Sequence, residues 1–202
     1  EALRVEVAQM KEKFMTHAQA LIHGDLHTGS IMVNQEETYV IDPEFAYYGP
    51  MGFDVGAVIG NLFLNYAAQE VRMADPDQRA DFRKYLTDTV IRLWQVFVRE
   101  FQSYVWDHVD PINMPKAYQE DYMLRVLQDS AGLGACKMMR RVIGLAGVSD
   151  IRGIEDVHQR AIAGSLALNI GVALIKQRRE IRTIEDLVEI ATACRPTYPW
   201  KN

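Results

Sequence analysis

The stretch His23-Gly24-Asp25-Leu26-His27-Thr28-Gly29-Ser30, followed seventeen residues after Asp25 by Asp42-Pro43-Glu44, decides how this chain is read. Between the two lie the β-type runs Ile31-Met32-Val33 and Thr38-Tyr39-Val40-Ile41, separated by the polar Asn34-Gln35-Glu36-Glu37. Short alternating runs around a polar turn predict a small hairpin. A strand rises about 3.3 Å per residue, so such a hairpin returns the chain to the edge it left. Asp25 and Asp42 are therefore expected to face a common space. Carboxylates that converge repel unless a cation lies between them, and an oxygen-rich site of this kind suits Mg²⁺, whose shell phosphate oxygens can complete. A carboxylate left free of metal can accept a proton from an attacking hydroxyl.

Outward from the hairpin the pattern becomes helical. Residues 1–19 carry Leu3, Val7, Met10, Phe14 and Met15 among Glu, Lys and Gln, the spacing of an amphipathic helix, and the apolar step Ala20-Leu21-Ile22 then leads into His23. After Gly49-Pro50-Met51-Gly52 come helical patterns broken at Asp75-Pro76, at Asp110-Pro111 through Pro115, at Gly147 to Gly153 and at Arg179 to Thr183. The expected architecture is mainly α with a small β-hairpin: helix 1–19, loop and hairpin 20–50, and a body 51–202 of about five helices. No period of 20 to 50 residues repeats. With so few strands, the hairpin serves to hold its two flanking loops rigidly against the helices.

Composition narrows the function. The chain has 202 residues, 49% hydrophobic and 24% charged, enough for a sizeable core and inconsistent with disorder. A net charge of -5 argues against a nucleic-acid or anionic-membrane binder, either of which needs a basic excess. Cys136 and Cys194 lack a CxxC pattern or a His at ligand spacing, which points to a reducing cytoplasm rather than a zinc or disulfide scaffold. Ala161 to Ile175 runs fifteen residues without a charge, too short to span a bilayer, and is expected to be a buried helix. The start at Glu1 has neither an initiator Met nor the features of a signal peptide, so a fragment is expected.

The order His-x-Asp, hairpin, Asp-x-Glu resembles the C-terminal lobe of the protein-kinase-like (α+β) fold, in the version found in aminoglycoside and choline kinases. Leu21 to Val33, Ile41 to Gly56, and Gly134-Ala-Cys-Lys-Met-Met-Arg-Arg-Val-Ile-Gly144 together resemble the 5-methylthioribose kinase family of methionine salvage. That resemblance implies ATP-dependent phosphorylation of the 1-hydroxyl of 5-methylthioribose, with Mg²⁺, ATP and ADP as ligands, and a cytoplasmic homodimer. It makes Asp25 the catalytic base, Asp42 and Glu44 the metal residues, and Arg140 and Arg141, with Asp25, the sugar-binding set. Ser30 stands where related kinases place a metal-binding Asn. Ser30 and His27 thus become candidates for supporting metal or nucleotide, and Glu44 is expected to compensate. His23 and Asp54 are implied as structural supports of the loop. No Gly-rich strand-loop with a following Lys precedes His23, so the N-terminal nucleotide lobe is expected to be absent and the chain by itself to transfer phosphate poorly.

Plainer readings stand beside these. His23-x-Asp25-x-His27 alone resembles a zinc site, and Asp42 and Glu44 can act as turn caps. Asp54 can cap the following helix. Adjacent arginines point about 100° apart on a helix, so both meet one ligand only near an irregular end, which Gly144 and Gly147 make plausible. Cys136 to Met139 can line a soft pocket for a thioether or simply fill gaps. Lys176 to Arg182 reads as a solvated helix end, and Trp94, Trp106 and Trp200 as packing residues. Another small-molecule acceptor (aminoglycoside, choline or homoserine) would keep Asp25 and Asp42 without the arginine pair. A non-catalytic binding module would need no magnesium.

Overall fold

The computed structural model describes residues 1–198, so Trp200 lies outside the described residues. Helix α1 runs over Ala2–Thr16 and buries Met10 almost completely, at 1% exposure. Its polar face is anchored as well. Lys13 Nζ meets the buried Asp129 at 2.5 Å, and Glu6 meets Arg178 at 2.8 Å. Arg178 corrects the expectation of a solvated basic helix end. It is only 5% exposed, because α1 covers that end and Glu6 and Gln9 take its guanidinium.

Two small antiparallel sheets follow. Strands β2 (Ile31–Val33) and β3 (Thr38–Val40) form the expected hairpin, with Met32 opposite Tyr39. Its turn is built by Asn34, whose side-chain oxygen accepts the backbone N–H groups of Glu36 and Glu37. The second sheet was not anticipated: β1 (Ala20–Ile22) pairs with β4 (Tyr47–Gly49), Leu21 opposite Tyr48. It closes a larger loop around the hairpin, so residues 23–46 enter and leave at one place.

The helical body comprises α2 (Gly52–Arg72), α3 (Pro76–Tyr104), α4 (Lys116–Ile143), the single turn α5 (Ser149–Arg152), α6 (Val157–Gln177) and α7 (Ile184–Ala193). The breaks are the expected ones, with local causes. Asp75 caps α3 by accepting from the Asp77 and Gln78 amides, with Pro76 at the first helical position, and Thr183 with Asp186 forms a capping box on α7. Ala161 to Ile175 lies within α6 and contributes Leu166, Ile170 and Leu174 to a core shared with Phe63 and Leu64 of α2 and Leu127 and Met138 of α4. Each such fully buried side chain stabilises by roughly 1.5–3 kcal/mol. No helix of the described residues is long and apolar enough to cross a membrane. Trp94 and Trp106 are both buried, as expected of packing residues.

One crossing places the site. Where α2 meets α4, a Cβ on Gly134 would collide with the Gly56 carbonyl, and one on Gly56 with the Ser130 carbonyl. Only glycines permit backbones this close. The approach carries the next turns of α4, Lys137 and Arg141, up to the loop that begins at His23.

Candidate active site

The loop from His23 to Ser30 is held by backbone-directed bonds. Asp54, near the start of α2 and 9% exposed, accepts the His23 amide at 2.6 Å and the Gly24 amide at 3.1 Å. It does not cap α2, whose N-terminus has no side-chain cap. His23 Nδ1 accepts the Asp25 amide at 3.3 Å while Nε2 lies 2.9 Å from the Ile41 carbonyl. The Nε2–H tautomer satisfies both contacts. His23 thus acts as a brace between the two ends of the hairpin. Gly24 adopts φ +81°, and a side chain there would collide with the Phe45 carbonyl, so this close approach requires glycine.

Asp25 emerges from this brace toward two cations and an imidazole. Its Oδ1 lies 2.6 Å from Lys137 Nζ and 3.3 Å from Arg141 Nη2, whereas Oδ2 has His27 Nε2 at 3.7 Å. Lys137 and Asp25 thus form a close ion pair. Burial pushes the Asp25 pKa up, but the Lys137 contact and the charges of Lys137, Arg141 and His27 together carry it below the usual carboxylate value. His27 is held below the usual imidazole value, first by burial and then by Arg141, Lys137 and His23, against the pull of Asp25. Ser30 is 4% exposed, and its hydroxyl turns back to the Asp25 carbonyl at 3.3 Å and the His27 ring at 3.4 Å. Both residues therefore shape the loop.

The two arginines take different sides of Asp25. Arg140 shares with Asp25 a cavity of about 710 Å³ whose walls include Met10, Phe14, Phe45, Phe53 and Cys136. Arg141 opens on a neighbouring cavity of about 320 Å³ with His27, Thr28, Asn61 and Ser149, and Lys137 borders both. Both arginines lie in the last turn of α4, which ends at Ile143 with Gly144 as its C-cap, the helix end expected from the sequence. Burial raises the Cys136 thiol to about 11, against the lowering effect of Arg178, so it remains an uncharged wall of the larger cavity. Of the Met-rich run, Met138 borders the smaller cavity, while Met139 packs on Gly171.

Asp42 and Glu44 differ from Asp25. Both are exposed, and neither side chain has a hydrogen bond or ion pair among the described residues. Asp42 also adopts φ +67°, the one non-glycine residue in the left-handed region among those described. The hairpin ends do meet, through His23 with Ile41 and Gly24 with Phe45. The three carboxylates nevertheless do not form one cluster: among the described residues no group of three or more His, Cys, Asp or Glu could hold a metal. Asp25 turns instead toward α4. An acidic pair of oxygen donors without a counter-ion fits Mg²⁺, which commonly takes one or two carboxylates and fills its shell with phosphate oxygens and water.

Sequence reasoning missed two participants. Asn61 accepts the Thr28 amide at 3.0 Å and its hydroxyl at 3.2 Å, fixing the loop to α2. Lys137 was passed over inside an apolar run. Its signal was the spacing Lys137, Arg140, Arg141, which puts three cations at i, i+3 and i+4 on one face of a helix.

Residues 1–94 match the phosphotransferase enzyme family. A mainly helical body carrying a small β-hairpin is consistent with that match. The chain is 40% identical over 198 residues to methylthioribose kinase 1 of Oryza sativa subsp. japonica, covering 92% of this chain and 46% of that protein. It is 40% identical over 186 residues to the methylthioribose kinase of Geobacillus sp. (strain WCH70), covering 92% and 44%. With that of Escherichia coli O45:K1 (strain S88 / ExPEC) it is 38% identical over 200 residues, covering 93% and 48%. The chain thus spans about half the length of the curated relatives it matches.

Proposed function

We propose that this chain forms the acceptor side of an ATP-dependent kinase that phosphorylates the 1-hydroxyl of 5-methylthioribose, giving 5-methylthioribose 1-phosphate in methionine salvage. The observation that carries the reading is Asp25, held by cations on the rim of a largely apolar cavity that it shares with Arg140. A sugar bearing a methylthio group has both characters, hydroxyls at one end and an apolar thioether at the other. The similarity to methylthioribose kinases over 92% of the chain supports the same substrate.

In this reading Asp25 orients the C1 hydroxyl in line with the γ-phosphate and takes its proton. Arg140 and Arg141 bind the sugar hydroxyls from either side, Arg's planar fork being suited to such oxygens. Asp42 and Glu44 would hold Mg²⁺, which when bound supplies charge neutralisation at the phosphates. The donor nucleotide contacts that the fold places in its N-terminal lobe are not among these residues, so residues 1–202 by themselves transfer phosphate poorly. The reaction belongs in the cytoplasm, in a homodimer.

The test is a calorimetric titration of 5-methylthioribose into this chain, with and without Mg²⁺ and ADP, repeated on Arg140→Ala. Saturable binding that Arg140→Ala weakens by at least about tenfold, roughly 1.4 kcal/mol, is expected. Equal binding of choline, homoserine or an aminoglycoside would replace the substrate assignment, and no binding to a demonstrably folded chain would count against an acceptor site here.

A further inference from the structure

The Asp25 carboxylate presents two unlike oxygens. Oδ1 is taken by Lys137 Nζ at 2.6 Å and by Arg141 Nη2 at 3.3 Å, while Oδ2 has only the His27 ring at 3.7 Å. Of the three cations on this face of α4, Lys137 is the deepest, 8% exposed, with its ammonium 4.8 Å from the centroid of the Phe53 ring. A buried ammonium is costly unless an anion lies against it, and a methionine, common in this segment, would fill the same space without that cost. Burial draws the Lys137 pKa below its usual value and the Asp25 contact works against that shift, as expected of a charged pair in a dry place.

We infer that Lys137 is a positioning residue: it fixes Oδ1 of Asp25 so that Oδ2 is the oxygen presented to the acceptor hydroxyl. This rests on Asp25 being the base of the proposed reaction. Oδ2 takes the hydroxyl proton while the sugar oxygen forms its bond to the γ-phosphorus. The bond from that phosphorus to its bridging oxygen breaks, and the electron pair leaves on the nucleoside diphosphate. In this proposal Lys137 acts through Asp25 rather than on the reacting atoms. Its effect is to remove the carboxylate's freedom to rotate, and Phe53 and the close α2–α4 crossing hold Lys137 itself in place.

The experiment compares wild type, Lys137→Met, Lys137→Arg and Asp25→Asn in the full-length protein, with 5-methylthioribose and MgATP. Misplacement of a reacting group by an ångström costs up to about 10²-fold, so Lys137→Met is expected to lower kcat by roughly 10- to 100-fold with the acceptor KM within about threefold. Lys137→Arg, which restores a cation, is expected to recover much of kcat. A purely structural role would instead lower the amount of folded protein and leave kcat per folded molecule unchanged. Should Lys137→Met fail to fold, Lys137→Gln is expected to show the same split. Unchanged kcat in folded Lys137→Met or Lys137→Gln, with Asp25→Asn inactive, would overturn this inference alone. Turnover that survives Asp25→Asn would overturn the base assignment and this inference with it.

Discussion

The two ends of one hairpin treat their carboxylates in opposite ways. At the entry, Asp25 is three-quarters covered and faces Lys137, Arg141 and His27. At the exit, Asp42 and Glu44 stand in solvent without a partner among the described residues. The entry carboxylate is preorganised: folding has already fixed its place, its charge and its neighbours. The exit carboxylates have no neighbour to fix them, and a bound cation with its phosphates would have to do so. A group that moves a proton needs a fixed position before its substrate arrives, whereas a metal site can gather its ligands on binding.

Removing the preorganised group should have the largest effect. Asp25→Ala in the full-length protein is expected to lower turnover by roughly 10² to 10⁴, the usual worth of a positioned general base. Steady-state kinetics at saturating acceptor check this, and a loss under tenfold would place the base elsewhere. The same carboxylate should mark the acid side of stability. Its folded pKa is depressed, so its ion pairs stabilise the protein fully above the unfolded carboxylate pKa and cease to do so as pH falls through the lower folded value. Asp25→Asn should flatten that limb of the melting temperature against pH.

Next in size is the brace under Asp25. Asp54→Ala leaves the amides of His23 and Gly24 without their acceptor, and an unsatisfied buried group costs about 1–3 kcal/mol. A loss of roughly 2–4 kcal/mol in chemical denaturation is expected, since a charged acceptor to two amides is worth more than a neutral one. Asp54→Asn should fall between Ala and wild type. An equal loss for Asn and Ala would show that charge, rather than the bonds, matters there.

Much of this arrangement is legible in the sequence because the loop and hairpin are local. His23 to Glu44 spans few residues, and its hairpin follows from two β-type runs and a polar turn, as β2 and β3 confirm. The helix breaks were equally local, each marked by Pro, Gly or a cap. What escaped was set by contacts between distant segments. The β1–β4 sheet joins three-residue strands too short to show a period, and Arg178 looked solvated because nothing in its own helix reveals that α1 covers it. Lys137 sits 112 positions after Asp25 and meets it only because Gly56 and Gly134 let α2 and α4 approach. Helical spacing put Lys137 beside the arginines, but no local feature of the sequence tells that this face is the one turned to the loop.

The smallest effect separates the two ends most sharply. Asp42 holds φ +67°, where a residue with a Cβ carries a cost of roughly 1–2 kcal/mol, somewhat less for Asp, and its side chain makes no contact that would be lost. Asp42→Gly should therefore leave the melting temperature unchanged or raise it, by an amount corresponding to at most about 1 kcal/mol. If Asp42 holds Mg²⁺ as proposed, the same substitution should also raise the magnesium concentration needed for half-maximal turnover. A position that becomes more stable as it becomes less active is one where folding tolerates strain for the sake of a ligand. Should Asp42→Gly instead destabilise the chain, Asp42 would be part of the folded framework like Asp54, and the contrast between the two ends of the hairpin would fail.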